Sequence, residues 1–216
     1  MFYKTLTKMT EKMILRKFLA LTMIFIMSSI SPLWSTSVEM TQTQWLKKIE
    51  TYMNSARTWE ANFEQLNPNG SLYEGKFYLQ RPGRMRLVYT YPKDQLMLAD
   101  GKWLIVHDPS NDELTTLALK ETPADFFLKD KIDFSEGVTV QDFDIDEGLI
   151  RVTIVRTDEP DAGNLTLTFL QSPLRLIQWT TVDANYLKTV INLKNLRVGK
   201  TYEANFFTFN RPELLK

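Results

Sequence analysis

Two different periods of apolar residues organise the chain after its first 40 residues. Across residues 41–58, Trp45, Ile49 and Met53 recur at helical spacing, which predicts one amphipathic helix. From Trp59 onward, apolar and polar residues alternate, which is the period of a strand. Further short strands are predicted at Leu72–Gln80, Arg84–Thr90, Gln95–Ala99, Lys102–His107, Leu114–Leu119, Val138–Ile145, Leu149–Arg156, Leu165–Leu170, Leu174–Val182 and Lys188–Leu196.

One short helix interrupts the strands, in the segment ETPADFFLKDK at residues 121–131. Thr122 suits its cap and Pro123 its first helical position. Many short strands separated by Asn-Gly, Pro-Gly and Asp-Gly turns favour a single antiparallel sheet that curls, or a barrel. The final segment, ANFFTFNRPELLK, is predicted to add an edge strand. Residues 36–216 contain no repeat, low-complexity segment or linker and therefore form one predicted domain.

The first 35 residues have the pattern of a secretory signal. A basic segment ending at Lys17 leads into the apolar run FLALTMIFIM and then into small residues, with cleavage expected after Ser35 or Ser37. The alternative is an uncleaved anchor, but the apolar run is well short of the ~20 residues that span a membrane. A cleaved signal places the mature protein in the periplasm.

Composition excludes several classes of function. The chain has no cysteine, so it carries no disulfide, no cysteine zinc site and no lipid-modified cysteine of its own. Beyond residue 35, acidic residues outnumber basic ones, which argues against nucleic-acid binding. The single histidine, His107, fits a strand end better than a catalytic or metal role.

No sequence pattern supports an enzyme or a cofactor. The run DFDIDEG, residues 142–148, has alternating acids, but its glycine is seventh instead of sixth, so it fits a strand with a solvated acidic face better than a calcium loop. P-loop, dinucleotide-binding and nucleophile-elbow motifs are all missing.

The stretch GKFYLQRPGRMRLVYTYPKDQ, residues 75–95, is rich in basic residues. The alternation of its strands places most of these charges on one face. Lys76, Arg84 and Arg86 point away from the apolar side. Arg81 instead shares the side of its apolar neighbours, where a guanidinium needs hydrogen-bond acceptors. Its alternative interpretation is a strand-end cation that reaches solvent.

These residues carry a resemblance to the LolA family of periplasmic lipoprotein carriers. The matching motifs are NFEQ (62–65), G-x-F-Y-L-x-R-P-G-R-M-R (75–86), Y-x-x-P-x-x-Q (89–95), ADGKWLIVHD (99–108) and TP (122–123). The resemblance implies a half-barrel of about eleven antiparallel strands capped by helices over an apolar cavity. It implies that the cavity binds the acyl chains of lipoproteins, without a cofactor and without catalysis.

The resemblance also implies partners and residue roles. A monomeric carrier of this kind receives acylated lipoproteins from an inner-membrane ABC transporter and delivers them to an outer-membrane acceptor, LolB-like or unknown. Arg81 matches the family arginine that bonds the helical lid, so it becomes the lid latch. The predicted cavity lining is Phe77, Leu79, Met85, Leu87, Tyr89 and Trp103, with Phe126 and Phe127 on the lid.

Three alternatives remain open at the level of sequence. Leu104 and Val106, the neighbours of Trp103, could be the inward set in its place. The protein could be a LolA-like sensor or carrier for another amphiphile. It could also be an envelope scaffold without a ligand, since an apolar strand face often belongs to a core.

Overall fold

In the computed structural model, the described part of the chain runs from Met40 to Phe209, so the predicted signal segment lies outside the described residues. Eleven antiparallel strands form one sheet, in the order β6-β5-β4-β3-β2-β1-β11-β10-β9-β8-β7. The strands are β1 Thr58–Leu66, β2 Leu72–Gln80, β3 Arg84–Tyr91, β4 Leu96–Asp100, β5 Trp103–Asp108, β6 Glu113–Ala118, β7 Val138–Asp146, β8 Leu149–Arg156, β9 Gly163–Gln171, β10 Leu174–Asp183 and β11 Lys188–Val198.

Two α-helices accompany the sheet, α1 (Gln42–Asn54) and α2 (Ala124–Leu128). Single 3-10 turns occupy Leu119–Glu121 and Pro160–Ala162. Because β6 and β7 do not pair among the described residues, the sheet is unclosed. The predicted fold class, a mainly β single sheet with capping helices, is confirmed.

Helix α1 starts where its sequence supplies a cap. Thr41 Oγ1 accepts a hydrogen bond from Gln44 N at 3.3 Å, and Gln44 Oε1 accepts one from Thr41 N at 2.8 Å. This reciprocal pair is a capping box. Trp45, Ile49 and Met53, four residues apart, are the buried face. The helix ends at Asn54, earlier than predicted, because β1 already begins at Thr58.

The two faces of the sheet follow from strand alternation. On β1, Trp59, Ala61 and Phe63 are buried, and register places Ala61 opposite Phe77 and Trp59 opposite Leu79. This face, here called the inner face, packs against the buried sides of α1 and α2 in one apolar core. The inner face therefore carries the core, and the helices cover it.

The opposite, outer face is covered in part by the end of the described chain. Residues 200–209, here called the C-terminal segment, contain a turn and no strand, so the predicted final edge strand is wrong for the described residues. Tyr78 on β2 packs edge-on against Phe206, with ring centroids 5.0 Å apart. Aromatic side chains therefore dock the segment on the outer face. The rest of the predicted edge strand, residues 210–216, lies outside the described range.

The mid-chain helix is shorter than its sequence pattern. A 3-10 turn precedes it, and α2 covers only Ala124–Leu128. Thr122 does not cap the helix, because its Oγ1 donates to Leu119 O at 2.8 Å. Within residues 40–209, no helix is both long and apolar enough to cross a membrane.

Candidate functional site

Arg81 is a buried cation that joins the sheet to both helices. Only 4% of its surface is exposed. Its Nε donates to the carbonyl oxygen of Phe127 in α2 at 2.7 Å. Its Nη1 donates to the carbonyl of Met53 in α1, and to that of Ala56 just beyond α1 at 3.3 Å. One side chain therefore holds the ends of two helices that lie far apart in sequence.

The electrostatic setting of this guanidinium is unfavourable to charge. Burial, and secondarily the positive charge of Arg57, lower the pKa of Arg81 to about 10. Its Nη2 has no hydrogen-bond partner among the described residues. The Trp59 ring lies 5.4 Å from the guanidinium carbon and offers its electron-rich face. Arg81 thus stays protonated at neutral pH, but without full compensation for its buried charge.

The turn after Arg81 fixes α2 from a second point. Gly83 N donates to the carbonyl of Leu128 at 2.8 Å. Gly83 has φ +74°, and a Cβ there would lie 2.7 Å from the Cα of Gly101. Glycine is therefore required in this R-P-G turn, both for the left-handed backbone and for the close approach of a neighbouring turn.

The predicted lining residues of the inner face come together as a packed layer. Phe77, Leu79, Met85, Leu87 and Tyr89 are all buried in the core. On α2, Phe126 and Phe127 are buried too. Trp179 on β10 links the two groups, with its ring centroid 5.2 Å from that of Phe77 and 5.1 Å from that of Phe127. In this closed arrangement the helices fill the space that we expected to be an open cavity.

Trp103 is placed wrongly by the sequence prediction. Register pairs Met85 with Ala99 and Ala99 with Leu104, so Leu104 shares the inner face. Trp103 therefore points to the outer side and is 38% exposed, whereas Leu104 is 7% exposed. The alternative that named Leu104 and Val106 as the inward pair is the correct one.

Open space lies beside α2, in a cleft of about 550 Å³. The chain between β6 and α2 forms one wall, and the ends of β7, β8 and β9 form the other. Of the predicted lining set, the cleft contains only Phe126. Its other apolar lining residues are Pro123, Val138, Ile154, Val155, Ala162 and Leu165. Its charged rim includes Lys120, Glu121, Lys129, Arg156 and Asp158.

The sequence prediction missed these cleft residues. Alternation along β8 would have placed Ile154 on the inner face with Ile150 and Val152, all of which are buried. Nothing in the sequence indicates that this strand meets the segment before α2, because that contact depends on how the chain between β6 and β7 docks.

A polar group inside the core was also missed. Tyr89 Oη donates to Gln65 Oε1 at 2.9 Å, and Gln65 Nε2 donates to Asn67 Oδ1 at 2.6 Å. Burial raises the pKa of Tyr89 above its ordinary value. The aromatic ring packs edge-on against Phe63, at 5.1 Å between centroids. The chain thus satisfies a buried hydroxyl and amide through the β1–β2 turn, as buried polar groups require.

The acidic side chains of the described residues are not grouped as in a metal centre. Within residues 40–209, no three His, Cys, Asp or Glu side chains are grouped so that they could hold a metal ion. The acids of DFDIDEG lie along β7, where Asp144 pairs with Arg151 at 2.9 Å. The cleft thus has an apolar lining and a charged rim, and it adjoins the helix that Arg81 holds.

Comparison with known proteins finds relatives over most of the chain. The family model described as "Outer membrane lipoprotein carrier protein LolA" matches residues 54–210. An outer-membrane lipoprotein carrier protein of Methylococcus capsulatus is 29% identical over 76% of this chain and 83% of its own length. The same-named protein of Legionella pneumophila is 27% identical over 92% of this chain and 96% of its own length.

Among solved structures, a LolA superfamily protein from Nitrosomonas europaea superimposes with a TM-score of 0.44 at 13% identity, covering 79% of this chain and 99% of its own. The family match spans most of the described residues and includes Arg81, α2 and the cleft. The chain therefore belongs to the LolA family, a family of outer-membrane lipoprotein carrier proteins and not of enzymes.

Proposed function

We propose that this protein binds the acyl chains of lipoproteins and carries them through the periplasm from the inner to the outer membrane. The observation that carries the proposal is the clamp of Arg81 on both helices, beside an apolar cleft. A lid held by a few hydrogen bonds can open without disrupting the sheet beneath it. Export by the segment before residue 36 is part of the proposal.

An acyl chain has a strong reason to enter such a site. Each buried CH₂ group contributes about 0.8 kcal/mol, so a long chain does not cross water unassisted. The cleft of about 550 Å³ is within the range of ligand sites in proteins. Phe126 contributes to the cleft from α2 and packs 5.3 Å from the ring of Phe134. Outward movement of α2 would join the cleft to the apolar layer around Trp179.

Arg81 is the latch in this proposal. Acyl chains that displace α2 break the bond to Phe127 O, and delivery of the cargo allows the bond to form again. Hydrogen bonds to charged groups contribute about 1.5–3 kcal/mol each, enough to shift an open–closed equilibrium tenfold or more. The closed, empty state is thereby favoured after delivery, which drives release.

The partners follow from the same role. An inner-membrane ABC transporter would load the carrier, and an outer-membrane acceptor, LolB-like or of another kind, would receive the cargo. No nucleotide or cofactor is needed by the carrier itself, because opening and closing are driven by cargo binding.

The test is to recover the protein from the periplasm after spheroplasting and to analyse bound material by mass spectrometry. Acylated lipoprotein at near-stoichiometric amounts is expected. Free phospholipid alone would indicate a carrier or sensor of another amphiphile. If no amphiphile is bound, the scaffold alternative is favoured. N-terminal sequencing of the same sample tests removal of about the first 35 residues.

A further inference from the structure

The unclosed sheet ends in two edge strands, β6 and β7, and they differ in how they are protected. Each pairs with one neighbouring strand, and neither has a second pairing partner along its free edge among residues 40–209. Exposed edges present unpaired N–H and C=O groups, which can pair with another chain. Proteins usually blunt such edges with charges, proline or bulges.

Strand β7 is blunted in this way. Its pairing with β8 contains a bulge between Val140 and Asp142. Its exposed side chains include Asp142, Asp144 and Asp146. Their charges repel one another, and an added strand would have to remove part of their hydration, which is unfavourable. The acidic run that stands out in the sequence is thus explained as edge protection.

Strand β6 is much less protected. Its six residues, ELTTLA, contain one charge and no proline, and its pairing with β5 is regular. All but Ala118 are exposed, including Leu114 at 39% and Leu117 at 46%. Threonine and leucine in an exposed edge make β6 a ready template for strand addition.

The direction of the free backbone groups can be assigned. Leu119 N donates to Lys102 O at 3.0 Å, one step beyond the register pair of Ala118 and Trp103. Because hydrogen-bonded and non-bonded pairs alternate along an antiparallel ladder, Thr115 and Leu117 bond to β5. The N–H and C=O groups of Leu114, Thr116 and Ala118 therefore point to the open side.

The occupant is indicated by where β6 leads. The chain leaves β6 at Ala118 and enters the wall of the cleft at Lys120. An acyl group held in the cleft would bring the polypeptide attached to it to this edge. We propose that β6 binds the extended N-terminal polypeptide of an acylated cargo by antiparallel or parallel strand addition, through its main chain.

This inference rests on the proposed carrier function and specifies how the protein part of the cargo is held. Main-chain hydrogen bonds read the backbone and not the side chains, so one edge can serve cargoes of different sequence. The exposed Leu114 and Leu117 add apolar contact to residues of the added strand without selecting one sequence.

The test compares two synthetic ligands with the purified full chain. One is a cysteine amide with S-diacylglyceryl and N-acyl groups, and the other carries the same group followed by six uncharged Ser, Thr and Gly residues. With three open backbone positions, the extension should tighten binding about tenfold.

Thr116→Pro removes one open N–H and constrains the edge, so it should abolish that gain and leave binding of the short ligand unchanged. Thr116→Val, which keeps the N–H, should retain the gain.

A change in the ligand provides an independent arm. N-methylation of alternate residues in the extension should remove the gain with the unaltered protein, even if Thr116→Pro fails to fold. If the extension adds nothing, if the gain survives in a folded Thr116→Pro variant, or if it survives N-methylation, β6 is not the site. If the short ligand also fails to bind, the carrier function itself is wrong. Sedimentation that shows a dimer lost in Thr116→Pro, with no gain from the extension, would assign β6 to self-association and overturn the proposal.

Discussion

Arg81 and Arg86 lie five positions apart in one motif and hold chain segments against opposite faces of the sheet. Arg81, on the inner face, donates to carbonyls at the ends of α1 and α2. Arg86, on the outer face, donates from Nη1 to Phe206 O at 2.9 Å and lies 5.5 Å from the Phe206 ring. Burial lowers the pKa of both groups.

The difference lies in what else holds each segment. The C-terminal segment also docks through rings, because Tyr78 on β2 packs edge-on against Tyr202, with ring centroids 5.9 Å apart, as well as against Phe206. Arg86 is half-buried and adds to contacts that exist without it. Arg81 is nearly fully buried and supplies bonds to two separate helices at once. On the outer face, arginine thus adds one bond to a segment that is also held by aromatic packing. On the inner face, arginine supplies bonds that join both helices to the sheet.

The largest expected effect is that of Arg81→Leu on cargo delivery. The variant should fold and load, because leucine suits the apolar inner face, but the closed state loses the latch bonds. We expect delivery from loaded carrier to acceptor membranes to fall about tenfold, with cargo held more tightly. Arg86→Leu is the matched control and should deliver at the unaltered rate. Equal delivery by both variants would mean that the Arg81 bonds only stabilise the fold, and it would contradict the latch role.

Arg86→Leu should instead loosen the outer face. Loss of one charge-assisted hydrogen bond from a half-buried site should lower the free energy of unfolding by about 1–2 kcal/mol. Trypsin should then cleave faster after Lys200, at the start of the C-terminal segment, whereas Arg81→Leu should leave that cleavage unchanged. Faster cleavage in both variants would mean that the two faces are coupled and not independent.

The smallest effect concerns two tyrosines, one on each face. Burial, followed by the charge of Glu60, raises the pKa of Tyr202 to about 12, and burial raises that of Tyr89 as well. The pKa of tyrosine in the unfolded chain is about 10. Each of the two hydroxyls therefore contributes stability that is present below about pH 10 and is lost as pH rises through the pKa of the folded state. Tyrosinate absorbance should show one group titrating near 12 that Tyr202→Phe removes. Ionisation of that group near pH 10 would contradict its burial.

Much of the fold was predictable because most strands have one buried face. Alternation located β2 at its observed bounds and placed Arg81 among the inward residues. It failed at β5, WLIVHD, where Leu104 on the inner side and Ile105 on the outer side are both buried. A strand covered on both faces loses its period of two, so the orientation of Trp103 could not be assigned.

The site was less predictable because its parts meet through distant contacts. The position of Arg81 on the inner face came from local alternation, and the resemblance placed its acceptors near α2. Its bond to Met53 O, the Tyr89–Gln65 pair and the cleft beside Ile154 depend on helix docking and on how the chain between β6 and β7 docks. The dense aromatics of ANFFTF could have indicated a docked segment, but not which face it covers.

The strand order also shapes how the protein must assemble. Every paired strand is a neighbour in sequence except β1 and β11, whose ladder joins Phe63 to Leu193 in the middle of the sheet. Sequence-local hairpins form early, whereas a contact across most of the chain requires loop closure before it yields any stabilisation. Two meanders, β1–β6 and β7–β11, can therefore grow separately, and the central seam between them should set the folding rate. Pulse-labelled hydrogen exchange during refolding should protect the hairpin amides before those of the seam.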